Sequence, residues 1–369
     1  MNMASIDTLT IRGYKSIREL DTLELKQLNI LIGANGSGKS NFVSFFKMLR
    51  ELVEERLQVW ISKQGGAGRI ASHGVKMTSK IDFSIRFGSN GYDLSLEPTA
   101  DDGLTFSSEK LYFDGPYYGV TQPYLGSGHN ESCLKKEIVS GQSKNVASYC
   151  YEAISSWKIF HFHDTSDTAE VKRIGSLHDN EYLRSNASNL AAYLYRLKEE
   201  HSNVYSKILK TIRLVLPYFD EFILKPKKIS SGEEQISLMW KRKDSDYPFW
   251  PSQLSDGSIR FICLTTALLQ PESPTTIIID EPELGLHPYA ISVLGSLIRS
   301  ASKDIQIIMS TQSVPLLNEF SIGDLIIVEA ENGSSSFKRL DEENFRQWLE
   351  NYSIGELWEK SILGGRPTR

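Results

Sequence analysis

The sequence predicts an α/β fold: a sheet covered on both faces that carries a glycine-rich turn, with a mixed strand-and-helix insertion between the two halves of one site. Three observations predict it. A short apolar strand, Leu28 to Ile32, runs into the turn Gly33-Ala34-Asn35-Gly36-Ser37-Gly38-Lys39-Ser40, and an amphipathic helix opens at Asn41. A second apolar strand, Thr275 to Ile279, ends in the carboxylates Asp280 and Glu281. Between them, residues 51–249 mix short alternating strands with helical stretches that sustain no heptads.

At 369 residues the chain suits one large domain with an elaborated insertion, or two domains. With 40% hydrophobic and 24% charged residues it can bury a sizeable core. A net charge of -5 gives no global attraction to nucleic acid or to an anionic membrane, so any DNA contact needs a local basic patch. Cys133, Cys150 and Cys263 are scattered with no C-x-x-C pair, which indicates neither a disulfide framework nor a zinc site. That suits a reducing cytoplasm. No leader-like or bilayer-spanning stretch is visible, and a cytoplasmic protein without a membrane partner is expected.

The elements follow in order. Ile6 to Ile11 alternates apolar and polar residues as a half-buried strand does. Arg12-Gly13-Tyr14-Lys15-Ser16-Ile17 turns into a second strand, and Leu23 to Ile32 leads into the glycine turn. Arg12, Tyr14 and Lys15 either flank an adenine ring or form a solvated hairpin tip. Gln64 to Gly68 breaks the helical pattern. Ile81–Phe87 and Tyr92–Leu96 flank Gly88-Ser89-Asn90-Gly91 and read as a hairpin. Phe106 and Lys110 to Phe113 add short strands, and residues 114–132, rich in Gly, Pro, Tyr and Ser, predict an exposed loop. Trp157 to His163 reads as a strand with His161 and His163 on one face and Asp164 beyond. Without a third His or Cys nearby, polar residues at a strand end are preferred to a metal pair. Asn189–Leu197 and Val204–Leu216 have helical spacing, the second ending at Pro217. Lys225-Pro226-Lys227-Lys228 and Lys241-Arg242-Lys243 are the basic clusters: solvated loops, with DNA-backbone contact as the alternative.

The chemistry concentrates at the glycine turn. Its sequence fits G-x-x-x-x-G-K-[ST] at every fixed position. Glycines at 33, 36 and 38 let successive backbone N–H groups of Asn35, Gly36, Ser37 and their neighbours point at a phosphate chain, with the helix N-terminus at Asn41 aimed at the same place. Lys39 would reach the β- and γ-phosphates, and the Ser40 hydroxyl would ligate Mg²⁺. The strand ending at Asp280-Glu281 puts two charges where such sheets bind ligands. Asp280 would help hold the hydrated metal, and Glu281 would polarise the attacking water.

Leu254-Ser255-Asp256-Gly257-Ser258, ahead of a helix from Ile259 to Leu269, resembles the L-S-G-G-Q signature of ABC-type ATPases, with Asp and Ser as variants. Together with Gly33–Ser40 and Asp280-Glu281 it marks the ABC/SMC/RecF-like branch of P-loop ATPases. The run is similar above all to the bacterial OLD-like and RecF-like AAA family ATPases of DNA repair and phage defence. The resemblance implies a P-loop NTPase of ABC-ATPase-head type, with ATP and Mg²⁺ as cofactors and hydrolysis to ADP and phosphate. It places the core in residues 1–50 and 250–340, the inserted lobe in 51–249, and a partner-docking or capping segment in 341–369. Gly285-Leu286-His287-Pro288 stands at the D-loop position and Ser310-Thr311-Gln312-Ser313 at the switch. Gln312 replaces the usual switch His, and it can donate to a γ-phosphate without changing protonation state. The segment His163-Asp164-Thr165 stands where the branch has its metal-sensing glutamine.

The resemblance further implies that Ser255 and Gly257 cap the γ-phosphate held by Lys39 of a second protomer, making ATP the glue of a homodimer with two shared sites. The expected role is an ATP-dependent dimerising switch that controls a separate effector such as a nuclease. An OLD-type nuclease is the first alternative: Ile326-Ile327-Val328-Glu329 resembles the opening of a TOPRIM domain, but no Asp-x-Asp follows it. The nucleotide-binding subunit of a membrane transporter is the second. At the C-terminal end, Tyr352 to Lys360 with Trp358, followed by Gly364 to Pro367, either docks a partner or folds back on the core.

Overall fold

The computed structural model describes residues 5–115, 119–272 and 274–364. Its centre is a six-stranded sheet in the order Ser334–Arg339, Leu325–Glu331, Leu28–Ile32, Gln306–Thr311, Thr276–Asp280 and Lys158–Phe160. All neighbours are parallel except the Ser334–Arg339 edge, which pairs antiparallel. Leu28–Ile32 is buried at every position, as a central strand covered on both faces must be. The period of two then sorts its residues between two cores. Ile30, Ile32, Ile277, Ile279, Ile307 and Met309 face one side, where helices Leu190–Glu200, Asp256–Leu268 and Pro288–Ala301 pack. Leu31, Ile278, Ile308, Ile326 and Val328 face the other.

That second core is a sandwich. The helix Lys39–Val53 lies on the parallel sheet and is covered in turn by an antiparallel sheet, ordered Ile17–Glu24, Thr8–Tyr14, Ile81–Phe87, Asn90–Pro98, Leu104–Gly115 and Gly119–Thr121. The apolar face Phe42, Phe45, Phe46 and Leu49 drives this burial; Phe45 meets Phe83 at 4.9 Å and Phe46 meets Trp157 at 5.3 Å between ring centroids. Burying one such side chain stabilises by about 1.5–3 kcal/mol, so the helix is held by tertiary packing rather than by propensity.

Strand pairing crosses the boundaries expected at residues 50 and 249. Thr8–Tyr14, expected in the core unit, pairs with Ile81–Phe87 of the insertion, and Lys158–Phe160 of the insertion pairs with Thr276–Asp280. Backbone hydrogen bonding is the reason: both segments find their ladder partners across the expected border. The predicted loop 114–132 is likewise partly paired, since Gly119–Thr121 and Tyr124–Gly126 both add to Leu104–Gly115. The short strands expected around 106 and 110 are one continuous strand, Leu104–Gly115. The C-terminal stretch lies back on the core: Leu357 is fully buried, and the Gly355 N–H donates to Asn318 Oδ1 at 2.7 Å. Residues 365–367 of the expected basic end lie outside the described residues.

Candidate nucleotide site

The turn Gly33–Gly38 leaves the sheet at the carboxyl end of Leu28–Ile32, and Gly38 caps the following helix at φ 110°, a left-handed backbone that glycine alone adopts without strain. A Cβ there would stand 2.0 Å from Ser335 Oγ, and one at Gly33 would stand 2.1 Å from the Val328 carbonyl oxygen. The loop is therefore braced from outside the motif. Ser335 Oγ donates to the Ser37 carbonyl at 2.6 Å and sits 2.7 Å from Ser16 Oγ, which accepts from Asn41 Nδ2 at 2.8 Å.

Around this loop is a cavity of about 190 Å³ lined by Asn35, Gly36, Gly38, Lys39, Ser40, Asn41, Glu281 and Gln312. Lys39 is buried and its ammonium donates to the loop's own Gly33 and Ala34 carbonyls, at 2.7 and 2.9 Å. Burial lowers its pKa, against the pull of Glu281, Asp280 and Glu283. Glu281 occupies the left-handed region at φ 44°, uncommon outside glycine, and its N–H donates to the Ser310 carbonyl at 3.0 Å. Its Oε1 accepts from Gln312 Nε2 at 2.6 Å. Asp280 accepts from the Ser310 hydroxyl. The donor set suits a polyphosphate: a cationic amine, glycine N–H groups and a helix N-terminus, with a metal-type hydroxyl at Ser40 and the Glu281 carboxylate lining the same cavity, which Asp280 does not line. Ser40 and Asp280 are the residues that could hold a hard cation.

Glu283, which sequence reasoning passed over, is the buried carboxylate of the site. Its Oε1 accepts from Thr311 Oγ1 at 2.6 Å and from the Gln312 N–H at 3.1 Å, while Oε2 is buried with no partner among the described residues. Burial pushes its pKa up. A carboxyl raised in the fold contributes stability that is full at acid pH and declines as pH rises through the raised value. We expect the melting temperature of Glu283→Gln, relative to wild type, to increase as pH rises above the ordinary carboxylate range and to level off once Glu283 is ionised in the fold. A difference that stays constant with pH would show that Glu283 ionises as freely in the fold as in the unfolded chain.

Ser255 and Gly257 are not brought to this cavity. Ser255 is the exposed N-cap of the helix Asp256–Leu268, accepting from the Ser258 N–H at 3.2 Å. Gly257 abuts the D-loop position, where a Cβ would meet the Gly285 carbonyl oxygen at 2.3 Å. Behind them the buried Arg260 joins three segments. Its Nε donates to the Phe162 carbonyl at 2.7 Å, Nη2 to the His163 carbonyl at 3.0 Å, and Nη1 to the Leu284 carbonyl. The helix that presents Ser255 is thus bonded to the segments following both Phe160 and Asp280.

The histidines after Phe160 stand side by side, ring centroids 6.1 Å apart. Burial, with Lys47 and His163 adding, pushes the His161 pKa down to about 4, and its buried Nε2 has no partner among the described residues. Among the described residues, the potential ligand atoms that do converge, within 4.8 Å, are those of Glu109, His129 and Cys133, away from both histidines in the chain. Glu109 there is already saturated, accepting from His129 Nε2 at 2.7 Å, Ser132 Oγ at 2.7 Å, the Cys133 N–H and the Tyr92 hydroxyl. It anchors the loop after Leu104–Gly115. Of the residues considered for an adenine ring, Tyr14 is fully buried with its hydroxyl on Ser44, and Arg12 is paired with Asp21 at 2.6 Å. Lys15 remains, lining with Asn41, Gln64 and His73 a cavity of about 480 Å³ that shares Asn41 with the phosphate loop.

A family model described as "AAA domain, putative AbiEii toxin, Type IV TA system" matches residues 28–116 and 152–318. Among curated proteins none matches the sequence. Of solved structures, an Smc head bound to the C-winged helix domain of ScpA superposes with a TM-score of 0.58 at 14% identity, covering 93% of this chain and 99% of that one. An Smc head with an extended coiled coil, bound to the C-terminal domain of ScpA from Pyrococcus furiosus, gives 0.58 at 12% identity, covering 94% and 99%. The fold is that of an ABC-type P-loop ATPase head, with the mixed insertion between the phosphate loop and the signature. No helix among the described residues is long and apolar enough to cross a membrane.

Proposed function

Since the chain belongs to this AAA-domain family, we propose that it binds and hydrolyses MgATP and uses the nucleotide to close two copies of itself over two shared sites. The observation that carries this reading is the placement of Ser255: exposed, at the N-terminus of a helix, and absent from the wall of its own chain's nucleotide cavity. A serine and helix N-terminus so placed complete a γ-phosphate site only on another molecule. Lys39 would leave the Gly33 and Ala34 carbonyls for the phosphates, Ser40 and Asp280 would hold Mg²⁺, Glu281 would polarise the attacking water, and Gln312, bonded to Glu281, would orient that water and donate to the γ-phosphate.

The dimer controls a separate effector in DNA repair or anti-phage defence; the family's description, which names a putative toxin of a toxin–antitoxin system, supports the defence setting. DNA contact, where it occurs, falls to Lys225, Lys227 and Lys228, which are exposed. In the second basic cluster two of the three cations are paired, Arg242 with Asp244 at 3.0 Å and Lys241 with Asp246 at 3.4 Å.

Light scattering on Glu281→Gln tests the reading. Mass should double with MgATP, and Ser255→Arg, added to the same chain, should keep it monomeric at equal nucleotide occupancy. A mass indifferent to ATP would remove the dimer mechanism.

A further inference from the structure

A cavity of about 420 Å³ lies apart from the nucleotide site, against the far end of the helix Lys39–Val53 and the start of the strand Lys158–Phe160. No residue lines both this cavity and the one at the phosphate loop. Its carboxylates are already engaged. Glu51 takes Arg56 at 2.7 and 3.2 Å, and Glu54 takes Lys135 and the Tyr151 hydroxyl, each at 3.0 Å. Of its cations, Arg184 is paired with Asp179 at 2.9 Å. Arg50 and Lys158 are what remains, both half-buried, and among the described residues neither has a carboxylate partner. The Lys158 ammonium stands 4.7 Å from the centroid of Tyr182, whose ring also meets the Arg184 guanidinium at 5.3 Å. Burial and the Arg50 charge both push the Lys158 pKa down, opposed by Glu272, which is itself paired with Arg196 at 3.4 Å.

Two like charges drawn out of water toward one another are costly unless something negative sits between them. With the other charges paired, the cavity carries about two uncompensated positive charges, and a phosphomonoester at neutral pH supplies about 1.5–2 negative ones. The volume falls in the range of small-molecule sites, roughly 300–1,000 Å³, and leaves room beside the phosphate for an organic group. A nucleic-acid backbone would instead require an open basic groove. We propose that this cavity binds a small phosphomonoester, its phosphate held between the Arg50 guanidinium and the Lys158 ammonium, with Tyr182 as the wall beside it.

The test is calorimetry with AMP and with inorganic phosphate on the full chain carrying Lys39→Ala, so that the phosphate loop does not contribute. One AMP should bind per chain, and adding either Lys158→Met or Arg50→Gln should weaken it about tenfold or more, the loss of one charge-assisted contact. Phosphate binding as tightly as AMP would identify the free anion as the occupant; tighter AMP would identify an ester. Either result supports the site. No binding of either ligand at millimolar concentration overturns the proposal. So does AMP affinity unchanged in both variants, or a Lys158-dependent affinity for a single-stranded oligonucleotide without one for AMP. Melting curves in phosphate-free buffer give an independent readout. Lys158→Met should melt higher than its parent, because it removes an uncompensated charge, and a lower melting temperature would mean that the fold itself uses that charge.

Discussion

Lys39→Ala is expected to lower affinity for ATP by roughly a hundredfold or more while leaving the fold intact. The ammonium is buried at the head of the helix Lys39–Val53, and its present partners are two carbonyls of its own loop. Exchanging them for phosphate oxygens replaces dipolar acceptors with anionic ones, each such bond worth about 1.5–3 kcal/mol, in a site where burial has already weakened hydration of the cation. Stability should fall little, because the apolar face that holds the helix begins at Phe42. Calorimetric titration with ATP, alongside a melting curve, checks both halves. Unchanged affinity would remove the phosphate-loop assignment.

Glu281→Gln should bind ATP as tightly as wild type and turn it over about a hundred- to ten-thousandfold more slowly, the usual contribution of a positioned general base. The carboxylate is held by Gln312 Nε2 at 2.6 Å, on a backbone at φ 44°, and lines the same cavity as Lys39. The amide keeps the size but loses the negative charge that draws a proton from water. Single-turnover measurement of phosphate release separates this from a binding defect. Wild-type turnover in the variant would transfer the base role to another group.

Much of this site was legible because its signals are contiguous. Gly33–Ser40 and Thr276–Glu281 each place their chemistry at the end of an apolar strand, and the pairing of both strands with Gln306–Thr311 brings the two ends together. What was not legible depends on contacts made far along the chain. Ser335 braces the loop across 298 residues, and nothing in its local sequence distinguishes it from any other serine of a polar strand. Arg260 sits inside a helix whose pattern reads simply as buried; its three carbonyl partners come from segments 24 to 98 residues away. Glu283, two residues past Glu281, reads as a turn residue until Thr311 and Gln312 close on it. Tyr14 looked available for a base because it lies beside a turn, but the antiparallel sheet folds over the helix and buries it against Phe45 and Phe83. The sheet membership of Thr8–Tyr14 and Lys158–Phe160 has the same origin: local pattern specifies a strand, and its partner is a tertiary choice.

The most direct test of shared sites is to mix two inactive chains, Lys39→Ala and Ser255→Arg, and measure ATP hydrolysis. In a mixed dimer one site carries both defects and the other carries neither, so an equal mixture should recover about a quarter of wild-type activity. If each chain instead completed its own site, every site in the mixture would carry one defect and no activity would return.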